Sequence, residues 1–182
     1  VPTISAPMIV EYFATDDLSG PVVVSQTHPN SEVIWADNIP TGINRTAFSA
    51  RATITFKTDR AGDYAFSLIS AGVSRARING EWVIDAWSNW RRGDTYFTWG
   101  CDEIIHKCSL SANETVEIYV EYSTNAPNTE RFFQALRIGG TRLLDTLDIE
   151  DAVVAAEQAD AVIVFAGLNA EWDNEGLDRE NI

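Results

Sequence analysis

Apolar and polar residues alternate through most of residues 9–138, the period of a half-buried β-strand and not of a helix. Residues 48–58, FSARATITFKT, set Ala52, Ile54 and Phe56 on one face. Residues 115–122, TVEIYVEY, set Val116, Ile118, Val120 and Tyr122 against Thr115, Glu117, Tyr119 and Glu121. A first strand begins over Ile9 to Phe13, and a last one runs from Phe132 to Ile138, closed by Gly139-Gly140. Residues 62–87, GDYAFSLISAGVSRARINGEWVIDAW, carry the clearest signal. Tyr64, Phe66 and Leu68 alternate with Ala65, Ser67 and Ile69, and a second strand runs from Arg75 to Ile78. Asn79-Gly80, two residues that tolerate positive φ, then makes a tight hairpin into a strand ending on Trp87. A meander of this kind has one apolar and one polar face. Residues 25–45 read as loop around the apolar island Val33-Ile34-Trp35, and residues 1–8, with two prolines, as a linker. No helix is expected before residue 145.

The pattern then changes. DIEDAVVAAEQA, residues 148–159, is helical, with Asp148 as N-cap, Glu150 and Asp151 complementing the N-terminal dipole and alanines in the middle. Residues 161–167, AVIVFAG, are apolar throughout and suit a strand buried on both faces of a parallel sheet. A lone helix–strand unit cannot cover its own strand, so this is expected to be a piece of a second domain or to dock elsewhere. The expected fold is mainly β: an antiparallel β-barrel or sandwich over residues 9–142, followed over 143–182 by a helix–strand fragment of an open α/β sheet.

Composition narrows the partners. A formal charge of −14 over 182 residues argues against nucleic acid and anionic membrane surfaces. Six tryptophans, eight phenylalanines and five tyrosines exceed the needs of a small core, so some can serve as stacking platforms for sugar rings. No apolar run reaches the roughly 18 residues that a membrane-spanning helix needs. Cys101 and Cys108 allow one disulfide or two free thiols; a metal site with His106 and Asp102 lacks a recognised ligand spacing. Asn44-Arg45-Thr46 and Asn113-Glu114-Thr115 are glycosylation sequons, which matter only in a secreted protein, and localisation stays open.

The order Gly-Asp-Tyr, strand, short break, strand, Asn-Gly, Val-Ile-Asp-x-Trp resembles the signature hairpin of the PA14 (protective-antigen) domain, a carbohydrate-associated β-barrel. MIVEYFATDDLSGPVV resembles that family's first strand and its Leu18-Ser19-Gly20 turn. Many lectin-like members hold calcium with two adjacent aspartates in the break, where this chain has Ser70-Ala71-Gly72-Val73. The resemblance therefore implies no metal and no cofactor here.

A second resemblance covers the C-terminal stretch. AVIVFAGLN followed by Glu-Gly-x-Asp-Arg resembles the α/β-sandwich domain of glycoside hydrolase family 3, chiefly β-glucosidases, some of which carry a PA14 domain just before this segment. Carboxylates crowd residues 171–180, and crowding raises the pKa of a carboxyl toward what a general acid needs. The family motif implies that Glu175 is the general acid/base, with Gly176, Asp178 and Arg179 completing it; Glu171 is the competing candidate. Such enzymes retain configuration with an aspartate nucleophile in a Ser/Thr-Asp-Trp motif on another domain, and no such motif occurs in these residues. The chain is thus expected to be inactive alone and to need the remainder of the enzyme as partner, with β-glucosides or oligosaccharides as substrates.

The inserted domain is expected to overhang the active site and select substrates. Within residues 87–99, Trp90, Arg91, Tyr96 and Phe97 are the expected sugar contacts, with aromatic faces stacking on sugar rings and arginine donating to hydroxyls. Tyr96 and Phe97 suit a plug in the domain's end equally well, Trp87 and Trp99 read better as core, and Asp85 as a turn-stabilising carboxylate. A non-catalytic, lectin-like sugar-binding module is the alternative for the chain as a whole.

Overall fold

The computed structural model describes residues 1–36, 38–127 and 133–164. The chain divides into two compact units, Val1–Leu143 and Leu144–Ile182. In the first, ten strands form two antiparallel sheets: β1 (Met8–Phe13), β2 (Val24–His28), β3 (Glu32–Ile34), β4 (Ser49–Lys57), β5 (Gly62–Ala71), β6 (Val73–Ile78), β7 (Glu81–Ala86), β8 (Ile104–Leu110), β9 (Thr115–Ser123) and β10 (Ala135–Arg142). One sheet has the order β2-β1-β4-β9-β6-β7 and the other β3-β10-β5-β8. The architecture is a sandwich, not a closed barrel.

Alternation decides which side chains meet between the sheets. The six-stranded sheet contributes Met8, Val10 and Tyr12, then Ala50, Ala52 and Ile54, then Val116, Ile118, Val120 and Tyr122. Phe66, Leu68, Leu136 and Ile138 face them from the other sheet. Trp35, fully buried just after β3, stands edge-on to Tyr12 and Phe48 and lies 4.6 Å from the Tyr122 ring. Its indole N–H donates to the Tyr12 hydroxyl at 3.0 Å, so this large aromatic cluster leaves its polar edge satisfied.

The central stretch differs from the expected one-sheet meander. β5 pairs with β10 and β8, whereas β6 pairs with β9 and β7, so the chain crosses from one sheet to the other at the Ser70–Val73 break. Gly72 makes that crossing with φ 131° against the Tyr122 ring, and the Tyr122 hydroxyl donates to the Ala71 carbonyl at 2.6 Å. β5 is also buried on both faces, not one: Ala65, Ser67 and Ile69 are as covered as Phe66 and Leu68. The N-terminal residues belong to this packing and are no loose linker: Ile4 is buried and Thr3 bridges Gly139. Gly139 and Gly140 accordingly lie inside β10, where they leave room for Val1 and Ile4, and do not end the strand.

Three strands lie where the sequence pattern predicts none. β2 and β3 fall in the stretch read as loop, and β8 (IIHKCSL) follows residues 87–99, with Ile104, His106, Cys108 and Leu110 alternating with exposed neighbours. Both cysteines are free. Cys101 hydrogen-bonds to Ser70 and Cys108 is paired with Tyr64, six residues apart on β5, or about 20 Å at strand rise. No disulfide spans that distance.

In the second unit the helix is Thr146–Glu157, two residues earlier than expected. Asp145 is the N-cap, and Asp148 closes a reciprocal capping box at the third helical position. Residues 161–164 carry no strand pairing, and Val162, Ile163 and Val164 are exposed; the rest of the expected strand lies outside the described residues.

Candidate functional site

The loop joining β7 to β8 gathers the aromatic and cationic residues singled out above. It starts at a fixed point: Asp85 Oδ1 accepts the backbone N–H groups of Trp87 and Ser88 at 2.8 and 2.9 Å, the turn role expected of it. Partial burial raises the Asp85 pKa, but those N–H groups and the nearby Arg75 outweigh it and hold the carboxyl below its ordinary range.

The neck of the loop is tied shut. Gly93 N–H donates to the Gly100 carbonyl at 2.8 Å, Arg92 bridges Cys101, and Thr95 Oγ1 donates to the Cys101 carbonyl at 2.6 Å. Cys101 is itself bonded to Ser70, its N–H to the Ser70 carbonyl and its sulfur to the Ser70 N–H. The loop is thus anchored at the sheet crossover. Burial pushes the Cys101 thiol up, which suits an anchor and not a nucleophile.

At the tip, Tyr96, Phe97 and Thr98 all adopt left-handed backbone, with φ 50°, 58° and 69°. For residues with a Cβ this costs about 1–2 kcal/mol each, so tertiary contacts must hold it. The Tyr96 hydroxyl donates to Glu32 Oε1 at 3.0 Å, and its ring lies 5.7 Å from Phe133. Trp99 closes on the same Phe133 at 5.1 Å. Burial, reinforced by the Glu32 carboxylate, pushes the Tyr96 hydroxyl far above the usual tyrosine range and keeps it a neutral donor.

Of the four expected sugar contacts, all on this loop, Phe97 is 84% exposed and Arg91 is exposed. Tyr96 is half-buried in the tip's own packing. Trp90 is half-buried, and its buried indole N–H makes no hydrogen bond. Trp87 is half-buried beside Arg75, and Trp99 half-buried against Phe133. Glu171, Glu175, Asp178 and Arg179 lie outside the described residues. Glu32, Ser70 and Phe133 hold the loop, a role that the sequence does not show because each lies far from it in the chain. Among the described residues there is no group of three or more His, Cys, Asp or Glu side chains placed to hold a metal ion. No helix among them is long and apolar enough to cross a membrane.

Comparison with known proteins agrees with this architecture. Residues 8–141 match the family described as the PA14 domain. The β-glucosidase of Rhizobium radiobacter is 32% identical over 176 residues, covering 96% of this chain and 21% of that protein. A probable β-glucosidase J of Aspergillus fumigatus is 32% identical over 162 residues, covering 84% of the chain and 19% of the relative. The β-glucosidase from Kluyveromyces marxianus, solved in complex with glucose, superposes with a TM-score of 0.79 at 26% identity, covering 96% of this chain and 22% of that one. The chain therefore spans about a fifth of the length of the curated relatives it matches. At 96% coverage the similarity also runs well past residue 141.

Proposed function

The chain belongs to the PA14 domain family, and from that premise we propose that it is the part of a retaining β-glucosidase of glycoside hydrolase family 3 that supplies the general acid/base and a substrate-selecting wall. The observation that carries this reading is the reach of the similarity: β-glucosidases match through the sandwich and on into the C-terminal unit, which a sugar-binding module alone does not require. Glu175, in Glu-Gly-x-Asp-Arg, is the proposed acid/base, with Glu171 the alternative. It donates a proton to the glycosidic oxygen as the aglycone leaves, then takes one from the water that hydrolyses the glycosyl-enzyme. The nucleophile comes from the remainder of the enzyme, so the chain alone does not hydrolyse glucosides. Trp90, Arg91, Tyr96 and Phe97 form the wall facing the aglycone, with the exposed Phe97 ring at its tip. Substrates are β-glucosides and oligosaccharides; no cofactor, nucleic acid or membrane takes part.

The test is Glu175→Gln in the full-length enzyme. Glucosides with poor leaving groups should slow by about 10²–10⁴-fold, and those with good leaving groups far less, because only the former need a proton as they depart. Equal slowing of both classes moves the acid role away from Glu175.

A further inference from the structure

The outer face of the six-stranded sheet carries an ordered arrangement that extends far beyond the loop's anchor at Asp85. Across five neighbouring strands, register sets Asp85 opposite Arg75, Arg75 opposite Glu121, Glu121 opposite Arg51, and Arg51 opposite Glu11, a row of alternating charge. The adjacent row places Trp82 opposite Arg77 and Arg77 opposite Tyr119. Cross-strand neighbours on one face interact directly, and here they fix each other's rotamers. Arg75 pairs with Glu121, Nη2 to Oε2 at 2.5 Å and Nε to the same oxygen at 2.7 Å. Its guanidinium lies 4.5 Å from the Trp82 ring and 5.2 Å from the Trp87 ring. Arg77 stacks on Trp82 at 4.8 Å and Tyr119 at 4.2 Å, and the Tyr119 hydroxyl donates to Glu121 Oε1.

A core needs none of this, and Trp82 is not core: it is 47% exposed, on an edge strand where a charged residue is the safer choice. It lines a shallow cavity of about 220 Å³ with Arg75, Val83, Ile84 and Asp85. The cavity joins a flat apolar ring to polar groups already locked in place: a guanidinium held by a carboxylate and two indoles, and a carboxylate held by two backbone N–H groups. Arg75 and Arg77 offset Asp85 and Glu121, so the site is formally neutral in a chain of net charge −14.

A neutral, flat, polyhydroxylated ring meets each of these demands, with C–H face to indole, hydroxyl donors to carboxylate and hydroxyl acceptors to guanidinium. We propose that Trp82, Arg75 and Asp85 form a second sugar-binding site, a platform for one pyranose unit of a β-linked oligosaccharide. It is separate from the loop tip and meets the start of the loop at Trp87 and Ser88. The inference borrows from the function proposed above only its choice of saccharide. Locked side chains cost little to order on binding, which is what makes so shallow a site effective.

The experiment is titration of the 182-residue chain with cellotetraose and with laminaritetraose, followed by calorimetry and by the indole N–H resonances. The Trp82 resonance should shift with at least one saccharide. Trp82→Ala should weaken binding about ten-fold or more, and Ile105→Ala, at an exposed position on the other sheet, by less than about two-fold. Trp82→Phe, which keeps an aromatic face and guards against a variant that fails to fold, should fall between Trp82→Ala and the parent chain. If neither saccharide moves the Trp82 resonance, or if Trp82→Ala binds like the parent chain, the platform is overturned. Binding that survives Trp82→Ala but is lost in Phe97→Ala overturns the platform while supporting the loop. The converse result upholds the platform whatever becomes of the loop.

Discussion

The β6–β7 turn and the tip of the β7–β8 loop both use left-handed backbone, for different reasons. Asn79 and Gly80, at φ 49° and 89°, are residues that accept it at little cost, and the turn is written in the sequence. Tyr96, Phe97 and Thr98 do not accept it cheaply. Their conformation is imposed by a hydroxyl on Glu32, rings against Phe133 and a neck tied to Ser70. A turn that local sequence chooses is a connector. One that the rest of the domain enforces against local preference persists only because the surrounding contacts over-determine it.

The comparison can be broken in order of expected effect. A third positive-φ position, Gly72, sets the upper limit, because there backbone and packing forbid a side chain together. A Cβ would lie 2.5 Å from Tyr122 Cε2 at φ 131°, so Gly72→Ala should cost about 3 kcal/mol or more in chemical denaturation. A loss near that of an exposed turn would mean that the crossover yields easily. Tyr96→Phe keeps the ring but removes the donor to Glu32; about 1–2 kcal/mol should be lost. If the tip forms the proposed wall, the same variant in the full-length enzyme should raise KM more than it lowers kcat, since it would loosen the wall and leave the chemistry untouched. An unchanged KM would detach the tip from substrate.

The smallest effects give the sharpest contrast, because they should differ in sign. Gly80→Ala has open space for its methyl group, so only the backbone resists, at about 1 kcal/mol. Phe97→Gly relieves an enforced conformation at an exposed position and should raise stability by about 0.5 kcal/mol, the strain released less the entropy of a freer unfolded chain. Urea midpoints of the two variants decide the matter. If Phe97→Gly destabilises as much as Gly80→Ala, the tip is a packed connector like the hairpin turn.

Local pattern by itself determined most of the long strands, the Asn79-Gly80 turn, the change of regime near residue 145 and the two family resemblances, but not β2, β3 or β8. It also determined that the aromatic and cationic residues of positions 87–99 fall together, since they are neighbours in the chain. Period-2 alternation states which side chains share a face, but not which sheet a strand joins. Only tertiary pairing revealed that β5 and β6 part company at Gly72, that β5 is buried on both sides and that Cys101 and Cys108 are too far apart to bond. The Asp85–Arg75–Glu121–Arg51–Glu11 row is invisible in sequence for the same reason. Its members come from five strands, and their register is set by hydrogen bonds between segments up to 70 residues apart, the separation of Arg51 and Glu121. Chemistry carried by consecutive residues can be read from the chain; chemistry assembled across a sheet exists only once the sheet has formed.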